Sequence, residues 1–327
     1  MRRREFIGLA GAVVWPLKVR AEQAERVRSV GVLMSTRADD PEGEGRLSAF
    51  VNGLSLLGWI EGRNVRIDVR WGGGNSSDIR KFAHEIIAIA PDVILASGGS
   101  VVGPLLQETR TVPIVFTQTP DPVAAGFAAS LSRPGGNATG FTQIEYGTAA
   151  KWLELLKEIA PDIVRAAVLR DPGIPEGIGQ LAVIQAAASS RNVDVKPIDI
   201  RSAGEIERGI TELARSRAAG VIVTSSGLAN VHRELIITLA AQYRLPGVYS
   251  NRVFATDGGL VSYGAGSIEQ HRLAARYIDR ILNGADPAEL PVQPPNKYDL
   301  VINLRTARAI GITIPPSLLA RADEVIE

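Results

Sequence analysis

Small groups of hydroxyl, glycine, amide and charged residues recur at the ends of short apolar runs. They are Ser35-Thr36-Arg37, Ser97-Gly98-Gly99-Ser100, Thr117-Gln118-Thr119-Pro120-Asp121, Arg170-Asp171-Pro172, Thr224-Ser225-Ser226-Gly227 and Ser250-Asn251. Such groups offer hydrogen bonds and free backbone N–H donors, which suit a carboxylate or another small polar molecule held at helix N-termini. They contain no ordered set of nucleophile, base and orienting group. The chain has no cysteine, which removes thiolate catalysis, disulfides and cysteine-bound metals. Its three histidines, His84, His232 and His271, lack a partner at a ligand spacing such as His-x-x-x-His and read as surface residues of three separate helices. Gly98-Gly99-Ser100-Val101-Val102 misses the final glycine of a nucleophile elbow and is not a dinucleotide loop. It suffices as a helix N-terminus that cradles an anion, or Ser100 is simply an N-cap. Asp121-Pro122 has the form of an N-cap with proline at the first helical position, and Asp171-Pro172 invites the same reading. Gly72-Gly73-Gly74-Asn75 is a flexible turn, since no Lys-Ser/Thr follows.

The elements that must position these groups alternate along the chain. Val30–Met34 reads as a buried first strand, and Leu47, Phe50, Val51, Leu54 and Leu57 follow at helical spacing. Val65, Ile67, Val69 and Trp71 alternate as a strand, and Ile79, Phe82, Ala83, Ile86, Ile87 and Ala90 form a helical stripe ended by Pro91. Strands at Asp92–Ala96 and Pro113–Thr117 flank a helix around Val101–Thr109. A second series begins near Thr148. It has strands at Arg165–Arg170, Val193–Ile198, Gly220–Thr224 and Pro246–Tyr249, with helices between them. Each half thus shows four βα units, and parallel strands need such crossovers. The expected fold class is α/β, with two open, doubly wound parallel-sheet lobes. Leu260–Tyr263, a helix near Leu273–Leu282, a proline-rich connector Asp286–Pro295 and a last strand Tyr298–Leu304 suggest three inter-lobe crossings and a hinge. The expected domains are lobe 1 at 28–142 plus 253–284 and lobe 2 at 143–252 plus 285–327.

The N-terminus carries an address. Arg2-Arg3-Arg4-Glu5-Phe6-Ile7 precedes an apolar segment, Phe6–Leu17, of 12 residues, which is too short to cross a bilayer but suits a signal peptide. The Arg-Arg-x-Phe-Ile pattern is the twin-arginine form, and Val19-Arg20-Ala21 supplies a cleavage site. Removing residues 1–21 takes away five basic residues and one acid from totals of 36 and 35, leaving 31 and 34, a net charge of −3. That balance gives no electrostatic reason to bind nucleic acid. No cysteine means no lipobox. The mature chain is expected to be a soluble periplasmic protein without a cofactor.

Several stretches together resemble a known family. They are Arg2-Arg3-Arg4-Glu5-Phe6-Ile7-Gly8, Gly58-Trp59-x-x-Gly62-Arg63-Asn64-Val65, Ala90-Pro91-Asp92-Val93-Ile94 and Val112-Pro113-Ile114-Val115-Phe116. They continue with Asp121-Pro122-Val123-x-x-Gly126-Phe127, the run Ser132-Arg133-Pro134-Gly135-Gly136-Asn137-Ala138-Thr139-Gly140, and Tyr298-Asp299-Leu300-Val301-Ile302-Asn303-Leu304. Over nearly its full length the chain resembles the ABC-transporter substrate-binding proteins that include tryptophan- and tyrosine-type binders, especially their alphaproteobacterial branch. The resemblance implies a type I periplasmic binding protein fold, hinge closure on an amino-acid-like solute, and delivery to a separate membrane permease and ATPase. A monomer suffices for delivery. A sensor feeding a membrane receptor would use the same fold, and an exported hydrolase is the weaker alternative.

In two such lobes, Ser35, Gly99, Ser100, Thr119 and Asp121 are expected to face the cleft from the first. Tyr146, Asp171, Ser225, Ser226 and Tyr263 are expected from the second or from the crossing strands. For an amino acid, Gly99 N–H and Ser100 would take the carboxylate, and Asp121 or Asp171 the ammonium.

Overall fold

Apolar runs flanked by polar strand ends build two separate sheets. The computed structural model describes residues 26–143 and 146–327, apart from the Tyr146 side chain. The twin-arginine segment lies outside the described residues. In chain order the first lobe holds β1 (Arg28–Met34), α1 (Pro41–Leu56), β2 (Val65–Trp71), α2 (Ser76–Ala88), β3 (Val93–Ser97), α3 (Gly99–Glu108), β4 (Ile114–Thr119) and β5 (Ala138–Thr142). Its sheet has the order β2-β1-β3-β4-β5, all parallel. The second lobe adds α4 (Ala150–Ile159), β6 (Arg165–Arg170), α5 (Pro175–Ser189), β7 (Asp194–Asp199), α6 (Ala203–Ala214) and β8 (Ala219–Val223). It continues with α7 (Gly227–Val231), α8 (Arg233–Gln242), β9 (Gly247–Tyr249), α9 (Arg252–Thr256) and β10 (Val261–Ala265). After α10 (Ser267–Leu282) come β11 (Tyr298–Asn303), α11 (Leu304–Ile310), α12 (Pro316–Leu319) and β12 (Glu324–Ile326). The second sheet runs β12-β11-β10-β9-β8-β6-β7, parallel except where β10 meets β11. Each sheet is buried on both faces by helices, as continuous apolar strands such as Ala219–Val223 require.

The α/β two-lobe expectation holds, but the lobe boundaries shift. Residues 253–265 belong to the second lobe, because β10 hydrogen-bonds to β9 and β11. Residues 285–295 belong to the first, because Leu290 and Val292 are buried with its core residues and Thr139 Oγ1 donates to Leu290 O at 2.6 Å. Between β10 and β11 the chain leaves the second lobe: α10 packs on α1, and residues 285–295 run along the first lobe. The chain therefore crosses after β5, at Ala265–Ser267 and at the segment before β11. The three crossings touch one another. Gln293 N donates to Gly140 O, Thr142 N donates to Gln293 O, and Gln270 Nε2 donates to Thr142 O, each at 2.9 Å. Among the described residues no helix is long and apolar enough to cross a membrane.

Candidate functional site

The polar strand ends of both sheets face each other across the cleft. Ser35 follows β1, Gly98–Ser100 follow β3, Gln118 lies in β4, Gln143 follows β5, Ser225 and Ser226 follow β8, and Asn251 follows β9; all line one small cavity. Its volume is about 20 Å³, room for a single water, so the lobes are closed on each other. The contacts across the cleft are close. A Cβ at Gly99 would overlap the Glu176 carboxylate, so only glycine lets the start of α3 approach α5 this far. Ser225 Oγ donates to Gln143 Oε1. At the rim, Arg233 Nη1 of the second lobe lies 3.0 Å from Asp40 Oδ1 of the first, and Arg233 Nε donates to Asp257 Oδ2 at 2.6 Å. Asp40 and Arg233 keep only 7% and 14% of their side-chain surface exposed.

Two charged residues within the site escape a reading of strand ends. Arg46 sits mid-helix on α1 and is 2% exposed. Its Nη2 lies 3.2 Å from Glu42 Oε1 without hydrogen-bond alignment. Glu42 in turn accepts from Ser267 Oγ. Glu176 opens α5 from the second lobe and is fully buried, and neither carboxylate oxygen has a partner among the described residues. Loss of water pushes its carboxyl up to about 7, with the charge of Asp171 adding to the rise. Gly177 places it there, since a Cβ at that position would overlap the Asp171 carbonyl, and α5 starts hard against the end of β6. A sequence signal exists for both. Arg46 shares the buried face of Phe50 and Leu54, and Glu176 that of Gln180, Ile184 and Ala188, at intervals of four. Taken instead as an exposed i,i+4 pair with Glu42 and as a first-turn acid after Pro175, they look ordinary.

The expected site residues divide. Ser35, Gly99, Ser100, Ser225 and Ser226 line the cavity. Ser100 is not an N-cap: α3 starts at Gly99 with Gly98 (φ 106°) as its cap residue, leaving Ser100 Oγ buried without a hydrogen-bond partner among the described residues. Ser226 caps α7 by accepting from Ala229 N at 2.9 Å. Thr119 turns inward and donates to Thr117 O at 3.2 Å. Asp121 accepts from Ala124 N at 3.0 Å and caps a run of turns rather than a helix. Asp171 accepts from Gly173 N at 2.9 Å, and burial raises its pKa. It lines a second chamber of about 320 Å³ at the cleft mouth, with Ile79, Phe127 and Pro175, which meets the inner cavity at Gly99, Ser100 and Ile174. Tyr263 stacks on Tyr298 at 5.6 Å in the second-lobe core, and Tyr146 opens a 3-10 turn whose first side chain lies outside the described residues. His271 is also displaced from expectation. It is fully buried, with Nε2 at 2.8 Å from Ser97 Oγ and 3.0 Å from Thr117 Oγ1 and Nδ1 at 2.8 Å from Ser267 O, because α10 returns to cover the first sheet. Burial, with Arg46 nearby, lowers its pKa to about 3. Among the described residues no group of three or more His, Asp or Glu could hold a metal ion.

Comparison with known proteins fits this architecture. A curated tyrosine-binding protein of Clostridioides difficile is 22% identical over 289 residues, covering 88% of this chain and 82% of that protein. The crystal structure of a conserved domain protein from Vibrio cholerae superposes with a TM-score of 0.85 at 26% identity, covering 92% of this chain and all of that one. An ABC domain from Streptococcus pneumonia in complex with L-Trp superposes with a TM-score of 0.84 at 23% identity, covering 91% and 99%. The profile described as ABC transporter substrate binding protein matches residues 36–326, both lobes and all three crossings. With that match, the chain belongs to the ABC transporter substrate binding protein family.

Proposed function

We propose that this protein is the solute-capturing component of an ABC importer and that its solute is small, polar and amino-acid-like. The observation that carries the reading is the cavity itself. Buried polar atoms from both lobes converge on it and lack hydrogen-bond partners among the described residues, and buried polar groups are otherwise almost always hydrogen-bonded. Ser35, Gly99, Ser100, Ser225 and Ser226 are the contacts from the strand ends, joined by Arg46, Gln118, Gln143 and Glu176. The names of relatives that bind tyrosine and tryptophan favour an amino acid, and the chamber beside Phe127 offers room for a side chain. The family is one of binding proteins rather than enzymes. The twin-arginine segment would export the chain to the periplasm, where it would pass its solute as a monomer to a permease and ATPase.

Thermal-shift screening against L-amino acids, aromatic acids and small polyols tests the reading. A solute at a hundred times its dissociation constant adds about 2.7 kcal/mol of stability. A melting rise with an amino acid, lost in Ser100→Ala, is the expected result. A flat response across the panel rejects it.

A further inference from the structure

Resting on the capture reading, we infer that the solute carries a protonated amine and that Glu176 and Gln118, from opposite lobes, hold it. Glu176 is fully buried, lines the cavity, and has two carboxylate oxygens without a hydrogen-bond or ion-pair partner among the described residues. A buried carboxylate in that condition either takes a proton or takes a cation, because desolvation disfavours its charge strongly. The amide network supplies a third acceptor. Thr142 O accepts from Gln270 Nε2, which turns Gln270 Oε1 toward Gln118; that oxygen accepts from Gln118 N and Nε2, each at 2.9 Å. Gln118 Oε1 is thereby left buried in the cavity wall without a hydrogen-bond partner among the described residues. Three acceptors match the three N–H donors of a primary ammonium. Arg46 Nη2, ion-paired with Glu42 but without an aligned hydrogen bond, and Ser100 Oγ, without a hydrogen-bond partner among the described residues, are donors on the first-lobe wall and suit a carboxylate. An amine between Glu176 and Gln118 also ties the lobes together, since each residue belongs to a different lobe.

Calorimetry on the full-length mature protein decides this. The probes are L-tyrosine, L-tryptophan, L-alanine and L-serine. Their matched acids without the amine are 3-(4-hydroxyphenyl)propionate, indole-3-propionate, propionate and 3-hydroxypropionate. Myo-inositol is the uncharged comparator. At least one amino acid binds, and its deaminated partner binds about 100-fold more weakly or not at all. Glu176→Gln loses affinity by a similar factor, whereas Asp121→Asn, at a surface turn, stays within about threefold. Equal binding of the deaminated acid overturns the amine assignment, as does wild-type affinity in Glu176→Gln. Tight binding of myo-inositol alone overturns it too, while leaving solute capture standing. No binding by any probe rejects both. Should Glu176→Gln fail to fold, the paired solutes on the unmodified protein still give the answer.

Discussion

Two buried titratable groups set opposite pH dependences for the unliganded protein. Glu176 has a folded pKa of about 7 against 4.5 when exposed, so the fold favours its protonated form. Its contribution is complete below about pH 4.5 and is lost as pH rises toward 7. His271 is the reverse: the fold keeps it neutral, with a pKa lowered to about 3 from 6.5, so stability is complete above pH 6.5 and drains away as pH falls toward 3. Glu176→Gln, which cannot ionise, should therefore raise the melting temperature at pH 8, by about 2–5 °C, while weakening capture. An unchanged or lower value would remove the claim that this carboxyl is strained when ionised. His271→Gln should flatten the loss of stability between pH 6.5 and 4 in thermal melts. Proton release on adding a bound amino acid at pH 6, read by calorimetry in two buffers of different ionisation enthalpy, would follow from ionisation of Glu176 by the amine. Ser35, Gly99, Ser100, Ser225 and Ser226 were legible as cavity residues because strand-end position alone locates them. Arg46 and Glu176 were not, because burial of a charge depends on what covers it.

Helix starts and rim pairs control closure at the next scale. The first turn of α3 meets the first turn of α5 through Gly99, whose backbone is helical and tolerates a methyl group locally. Gly99→Ala should thus lower affinity at least about tenfold by holding the lobes apart. Equal affinity would show that the lobes do not approach this closely with solute bound. Arg233 works at the rim, bridging Asp40 of one lobe to Asp257 of its own. Arg233→Ala strands a buried Asp40 in the closed form, so the solute should leave roughly 10- to 30-fold faster in stopped-flow experiments, with association little changed. The strands with apolar runs were readable one by one. β5 (Ala138–Thr142) was not, since Ala-Thr-Gly-Phe-Thr has no apolar run and is a strand only because β4 and the returning segment at Gln293 pair with it.

For the molecule as a whole, three adjacent crossings leave the lobes free to rotate about one line, the arrangement of a hinge. Small-angle scattering should show a larger radius of gyration for Gly99→Ala, whose added methyl group wedges the lobes apart, than for the unsubstituted mature protein, and an equal radius would sink the clamp. By itself the sequence determined the architecture and the strand-end residues that line the cavity from both lobes, because the periods of two and 3.6 and the polar ends of apolar strands are local properties of the chain. Tertiary structure alone decided the lobe boundaries, since the pairing of β10 with β9 and β11 is a contact between distant residues. It alone also decided which charges line the cavity. Arg46 and Glu176 lie 130 positions apart. Only folding of both lobes and their closure brings the two into one dry space, where water no longer screens them.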